Sequence, residues 1–271
     1  MSRVLWSTDF DGTLYSGLRR DAVISPSVIA NISNWILQGG WFHVLSGGSM
    51  MGMVRDQFDL VALVRAHLDS QGVTDCATLL AERMSFSMSN GIEHYNVTDA
   101  TRPLTDGQLN FDETHSHWVS SNEASLFSQQ IAERFGLELL AIDTPLGAHE
   151  HKAVALFLRR HQSAEKKNFV DISQMNDELA DIGSNLHLIF VREIQQQGEI
   201  VQRFDAFPRT PSDLTKRHAA TRIYSNFDSV IYTGDQPNGN DRALFCMAEA
   251  ETHVRSVHIT DPDCLAGVLF E

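Results

Sequence analysis

Apolar positions along the chain follow two alternating periods. Val4-Leu5-Trp6 is a short apolar run that stops at Asp9-Phe10-Asp11-Gly12-Thr13. Ser25-Pro26 supplies a helix N-cap and first turn. Val28, Ile29, Ile32, Trp35 and Ile36 then fall on one helical face, and Gly39-Gly40 ends the helix. Trp41 to Leu45 reads as a second strand running into Ser46-Gly47-Gly48-Ser49. Strand, helix and strand over residues 1–46 form a βαβ unit, and a second helix is expected over 51–69.

The rhythm breaks after Phe86-Ser87-Met88. Residues 92–122 are polar, with scattered histidines and no clear period. A helix over Glu123–Phe135, strands over 137–142 and Glu150–Arg159, a helix near 173–182 and a strand over Leu186–Val191 follow. This mixture reads as a separate α+β lobe. The βαβ rhythm returns with a helix over Ser212–Tyr224, a strand at Val230-Ile231-Tyr232 running into Gly234-Asp235, a helix over Arg242–Ala250 and a strand over Val254–Ile259. The expected fold is α/β, a doubly wound, Rossmann-like parallel sheet built from both ends of the chain. Its expected parts are a core of residues 1–90 and 208–271 and an inserted cap of 91–207.

Composition narrows the classes of function. The chain has 271 residues, 42% of them hydrophobic, and a formal net charge of −14. That charge disfavours nucleic acid or an anionic membrane as a partner, since both need a basic footprint. Three widely spaced cysteines (Cys76, Cys246, Cys264) fit neither a disulfide framework nor a zinc pattern. No apolar run approaches the ~20 residues of a membrane helix. The first strand begins within a few residues of Met1, which leaves no room for a signal peptide. A cytoplasmic protein, monomeric or a small homo-oligomer, is expected.

The chemistry concentrates where strands end. Asp9 and Asp11 follow the first strand and, two residues apart, point the same way on an extended backbone. Ligands of open α/β sheets bind at such carboxyl ends. Ser46-Gly47 follows the second strand, Gly234-Asp235-Gln236-Pro237-Asn238-Gly239-Asn240-Asp241 follows the late strand, and Lys216 lies early in the helix before it. Paired acids, a hydroxyl beside a flexible backbone, a lysine and a second acidic loop suit phosphoryl transfer. A metal ion neutralises charge there, donors hold the phosphoryl oxygens, and a carboxylate attacks. The His115/His117 and His149/His151 pairs lack a third ligand at metal spacing and read as loop histidines.

Asp-x-Asp-Gly-Thr at 9–13, the strand ending in Ser46, Lys216 and the Gly234-Asp235 loop resemble the haloacid dehalogenase-like hydrolases. Ser89-Asn90-Gly91 and the placement of the insertion resemble the subgroup with an α+β (type IIB) cap. That subgroup includes Cof-type sugar phosphatases, sucrose phosphatase and trehalose-6-phosphate phosphatase. The resemblance implies a Mg²⁺-dependent phosphatase of a small phosphorylated metabolite, such as a sugar phosphate. Asp9 would be the nucleophile, Asp11 the acid and base, and Lys216 the orienting cation. Thr13, Ser46 and Gly47 would bind phosphate. Asp9, Asp11 through its backbone carbonyl, Asp235 and Asp241 would hold the metal. Glu150-x-Lys152 is similar to the sugar-binding strand of trehalose-6-phosphate phosphatases, which makes Glu150, Lys152 and Arg159 candidate substrate contacts. Gly48 stands where the family often has Arg, and Asp241 fits the acidic loop only with a two-residue insertion. A phosphomutase or phosphotransferase with the same aspartyl-phosphate, and a non-catalytic binding protein, remain alternatives.

Overall fold

The computed structural model describes residues 2–15, 23–48, 59–88, 91, 93–101, 109–113, 129–135, 137–143, 154–160, 172–181, 186–196, 199–208, 216–238 and 240–265. The chain forms two compact units, Met1–His115 with Thr215–Glu271, and Ser116–Leu214.

The first unit is built on seven strands: β1 (Val4–Thr8), β2 (Trp41–Leu45), β3 (Met84–Met88), β4 (Glu93–Val97), β5 (Leu109–Glu113), β10 (Ser229–Gly234) and β11 (Val254–His258). Their order across the sheet is β11-β10-β1-β2-β3-β4-β5. The five strands from β11 to β3 run parallel, whereas β4 and β5 are antiparallel additions at one edge. The α/β expectation therefore stands, with a mixed rather than wholly parallel sheet.

The expected boundaries at 90/91 and 207/208 differ from the compact units, which divide at 115/116 and 214/215. At the first boundary the difference is made by β4 and β5, read in sequence as polar and aperiodic. Tyr95 and Val97 are buried while Asn96 is exposed, the alternation of an antiparallel strand with one wet face.

Helices α1 (Pro26–Leu37), α2 (Leu60–Ser70) and α3 (Cys76–Arg83) cover one face of this sheet. Ser25 caps α1 by accepting from the Val28 N–H at 3.4 Å, and Asp59 caps α2 by accepting from Ala62 at 2.9 Å. Gly39, with φ +88°, lets the chain turn out of α1 where a side chain would strain it. The core of this face is apolar: Trp6, Phe42, Val44, Phe86 and Met88 pack against Val28, Ile32, Val61 and Leu80. Trp6 meets Phe42 edge-on at 4.9 Å and Trp35 at 6.3 Å.

The other face carries α5 (Lys216–Tyr224) and α6 (Arg242–Ala250), packed over Leu5, Leu45, Val230 and Tyr232. Polar side chains lie in register across it: Ser7 is level with His43, and His43 with Ser85. His43 bonds Ser85 Oγ through Nδ1 at 2.8 Å and stacks on His94 at 5.9 Å. Burial, and secondarily His94, holds the His43 pKa well below the ordinary histidine value.

The second unit is an antiparallel sheet of β6 (Leu137–Asp143), β7 (Val154–Arg160), β8 (Leu186–Gln196) and β9 (Glu199–Pro208), in the order β6-β7-β9-β8. Helix α4 (Ile172–Asp181) is pinned to β8 by Asn176, whose side chain donates to the Leu188 carbonyl at 2.9 Å and accepts from its N–H at 2.7 Å. Residues 129–134 are also helical, and Arg134 pairs with Glu178 of α4 at 2.9 Å. Strand β9 has no counterpart in the sequence reading. Among the described residues no helix is long and apolar enough to cross a membrane.

Candidate active site

Sheet register brings the expected strand ends together. Thr8 is level with Thr233 on one side and Val44 on the other. The residues that follow, Asp9, Gly234-Asp235 and Ser46, therefore leave the sheet along one edge. The Asp9 N–H donates to the Thr233 carbonyl at 2.8 Å, so the ladder continues one residue beyond the strand. Beneath it, Trp6 Nε1 donates to Thr233 Oγ1, and Thr233 Oγ1 to Thr8 Oγ1, both at 2.9 Å.

Lys216, the first residue of α5, lies between two carboxylates. Its Nζ is 2.8 Å from Asp9 Oδ1 and 2.6 Å from Asp241 Oδ1. Lys216 is 1% exposed, Asp241 0% and Asp9 6%, so solvent does not screen these charges. Burial alone would lower the Lys216 pKa. Asp241 and Asp9 outweigh it, raise the pKa above the ordinary lysine value and keep the ammonium charged. Asp9 is pushed well above the usual carboxylate value by burial, with Lys216 pulling it back and Asp241 and Asp11 adding to the rise.

Asp241 is held by the chain itself. Oδ1 accepts from Lys216 and from the Tyr232 hydroxyl at 2.7 Å, and Oδ2 accepts from the Gln236 N–H at 3.2 Å. Gly234 makes room for this carboxylate, because a Cβ there would lie 2.5 Å from Asp241 Oδ2. Asp241 therefore anchors Lys216 in the orientation that reaches Asp9. Tyr232 and Gln236 were not anticipated from sequence. The available signal was a hydroxyl-bearing aromatic two residues before Gly234, on the same strand face by alternation.

Asp235 differs. It is only partly buried, and its Oδ1 is shielded from solvent without a hydrogen-bond partner among the described residues. Burial, and next the Asp241 charge, raise its pKa to about 6. Gly12, at φ +81°, closes against it: a Cβ on Gly12 would lie 2.2 Å from Asp235 Oδ2. Only glycine satisfies both the left-handed backbone and this close approach.

One oxygen from each of Asp9, Asp235 and Asp241 lies within 4.8 Å of the others. Oxygens sharing a Mg²⁺ at about 2.1 Å stand at most ~4.2 Å apart, so a small adjustment closes the set. When ionised, these three carboxylates outnumber the Lys216 ammonium by two charges. The hard oxygen donors, that excess charge and the unpartnered Asp235 oxygen fit a divalent cation.

Asp11 stands apart from this cluster. It is half-buried, and its Oδ1 accepts from the Tyr15 hydroxyl. Thr13 is fully buried, and its Oγ1 has no hydrogen-bond partner among the described residues. Ser46 is also buried; its N–H donates to the Ser87 carbonyl at 2.9 Å and its Oγ accepts from the Gly48 N–H at 3.1 Å. Gly47 is half-buried beside it. Glu150 and Lys152 lie outside the described residues, as does the side chain of Arg159, whose backbone in β7 pairs with Glu138 and Val201.

No protein-family model and no curated protein matches the sequence. Solved structures match the fold along nearly the whole chain. Trehalose-6-phosphate phosphatase of Aspergillus fumigatus is 15% identical, with a TM-score of 0.50, covering 98% of this chain and 91% of that one. A haloacid dehalogenase-like hydrolase from Bacteroides thetaiotaomicron is 14% identical with a TM-score of 0.50, covering 98% of both chains. IMP-nucleotidase of Plasmodium falciparum is 11% identical with a TM-score of 0.51, covering 96% of this chain and 66% of that one. The chain has the fold of the haloacid dehalogenase-like hydrolases, in agreement with the resemblance carried by its motifs.

Proposed function

We propose that this protein is a divalent-metal-dependent phosphomonoesterase that acts through an aspartyl-phosphate on Asp9. One observation carries the reading. A buried carboxylate at the end of β1 is held 2.8 Å from a lysine that a second buried carboxylate fixes from behind. A lysine held this way orients the nucleophile and balances charge as a phosphoryl group arrives.

The steps follow from the residues. An Asp9 carboxylate oxygen attacks phosphorus, and the bond from phosphorus to the leaving oxygen breaks. Asp11, protonated, gives its proton to that oxygen, and the alcohol departs. Asp11, now a carboxylate, takes a proton from water as the water oxygen attacks the phosphorus of the aspartyl-phosphate. Inorganic phosphate leaves, and Asp9 and Asp11 return to their starting states. Ser46, the Gly47 N–H and Thr13 bind the phosphoryl oxygens. Asp9, Asp235, the backbone carbonyl of Asp11 and, through a modest shift, Asp241 would hold Mg²⁺. The ion supplies charge neutralisation for the phosphoryl group.

We assign choice of substrate to the second unit and name a sugar phosphate as the class. The support is the Glu150-x-Lys152 pattern, together with the likeness of fold to a trehalose-6-phosphate phosphatase. A net charge of −14 speaks against nucleic-acid partners and suits a small substrate met through a bound cation. The test is phosphate release from a panel of phosphomonoesters with Mg²⁺. Turnover is expected, with loss of more than about a thousandfold in Asp9→Asn and under EDTA. Full activity in that variant, or in EDTA, overturns the reading.

A further inference from the structure

We infer that Tyr15 is a positioning residue for Asp11, holding the carboxyl group that serves as acid and then as base. The Tyr15 hydroxyl donates to Asp11 Oδ1. The inference rests on the phosphatase reading above and adds to it a residue outside the Asp-x-Asp-Gly-Thr pattern.

The donor is fixed by the core. Tyr15 is buried, and its ring packs edge-on against Phe10 at 5.3 Å within the apolar core. Phe10 and Leu14 are fully buried on either side of the turn. The Leu14 N–H donates to the Phe10 carbonyl at 3.1 Å, and a backbone bridge joins Asp11 to Tyr15. Gly12 at φ +81° permits the tight path between them. A core-anchored phenol thus reaches the half-buried Asp11 carboxyl group and restricts its rotamers.

A neutral donor suits a group that must cycle between two protonation states. A lysine or arginine here would favour the carboxylate and oppose reprotonation. A phenol donates to Oδ1 when the group is ionised. It also donates to Oδ1 as the carbonyl oxygen when the proton sits on Oδ2. Giving and taking the proton then falls to Oδ2, and the side chain keeps one orientation through both half-reactions. Asp241, which anchors a charge and does not cycle, is by contrast held by the Lys216 ammonium.

The test uses leaving groups. An alkyl alcohol must be protonated as it leaves, whereas p-nitrophenolate departs readily without help. kcat/KM reports events up to formation of the aspartyl-phosphate common to both substrates. In Tyr15→Phe, kcat/KM for an alkyl phosphate should fall about ten- to a hundredfold, and for p-nitrophenyl phosphate less than about threefold. Both rates are read on one preparation, so a partly folded variant leaves their ratio unchanged. In an Asp11→Asn background the Tyr15 change should add no further loss. Equal losses for both substrates, no loss for either, or a full additional loss in that background overturns the inference. If the wild type turns over no phosphomonoester, the phosphatase reading fails and this inference with it. Wild-type turnover with equal losses fails the inference alone.

Discussion

The two faces of the seven-stranded sheet are built on opposite terms. Under α1, α2 and α3, Trp6, Phe42, Val44 and Phe86 interlock in an apolar layer. Under α5 and α6, Leu5, Val230 and Leu244 share the space with Ser7, His43, Tyr232, Lys216 and Asp241, all buried. The first face is held by area removed from water and by close packing. The second holds charged groups whose energy depends on each having its partner at hydrogen-bond distance. The contrast teaches that the site is part of this protein's core, so its charges are fixed in position before a substrate arrives.

Breaking each face once should separate these terms. Lys216→Met leaves Asp9 and Asp241 buried with no cation between them, since both pair with the same Nζ. A loss of about 3–5 kcal/mol in stability is expected from denaturant melts, with turnover abolished. Phe42→Ala on the apolar face should cost a similar ~3–5 kcal/mol through lost burial and a cavity. Its remaining folded fraction should keep its metal affinity. If Phe42→Ala abolishes metal binding in folded protein, the two faces are not independent.

Adding Mg²⁺ should stabilise the polar face selectively, by about 2.7 kcal/mol at a hundred times its Kd. Calorimetry should show a rise in Tm that EDTA removes and that Asp235→Ala loses. The Asp235 pKa of about 6 is raised above the unfolded value of 3.8. Without metal its contribution is therefore favourable below 3.8 and is lost as pH rises through 6. Metal binding needs the ionised form, so Mg²⁺ affinity should weaken as pH falls below about 6. An affinity unchanged between pH 7 and 5 would remove Asp235 from the ligand set.

The smallest effect concerns His43, whose folded pKa is depressed by burial. The unfolded chain takes up a proton near pH 6.5 and the folded one does not. This contribution to stability is therefore present above pH 6.5 and is lost as pH falls toward the folded value, by at most about 1.4 kcal/mol per pH unit. His43→Asn should flatten that part of the stability profile. An unchanged profile would show that His43 is protonated inside the fold.

Much of this was legible in the chain. Helix α6 spans Arg242–Ala250, the range expected from the sequence, and α1 begins at the Ser25-Pro26 cap. Asp9, Lys216, Asp235 and Asp241 were all picked out by their place relative to strand ends, and the structure gathers them. What escaped has a common cause. Tyr95 and Val97 alternate over too few residues among polar neighbours to announce β4. Tyr15 and Tyr232 look like ordinary core aromatics until a partner carboxylate is placed beside each hydroxyl.

By itself, then, the sequence determined the local matters: which segments carry strand or helix period, and which acids stand where a strand stops. Those depend on residues a few positions apart. Only the tertiary structure decided that Lys216 bridges Asp9 and Asp241, and that Asp241 bonds to the chain through both oxygens while Asp235 Oδ1 has no hydrogen-bond partner among the described residues. It also distinguished Asp11, held by a neutral phenol, from Asp9, paired with an ammonium. The grouping of Asp9 with Lys216, Asp235 and Asp241 depends on sheet register between β1 and β10, strands more than two hundred residues apart in the chain. A period of two or of 3.6 residues carries no information about register over such a separation.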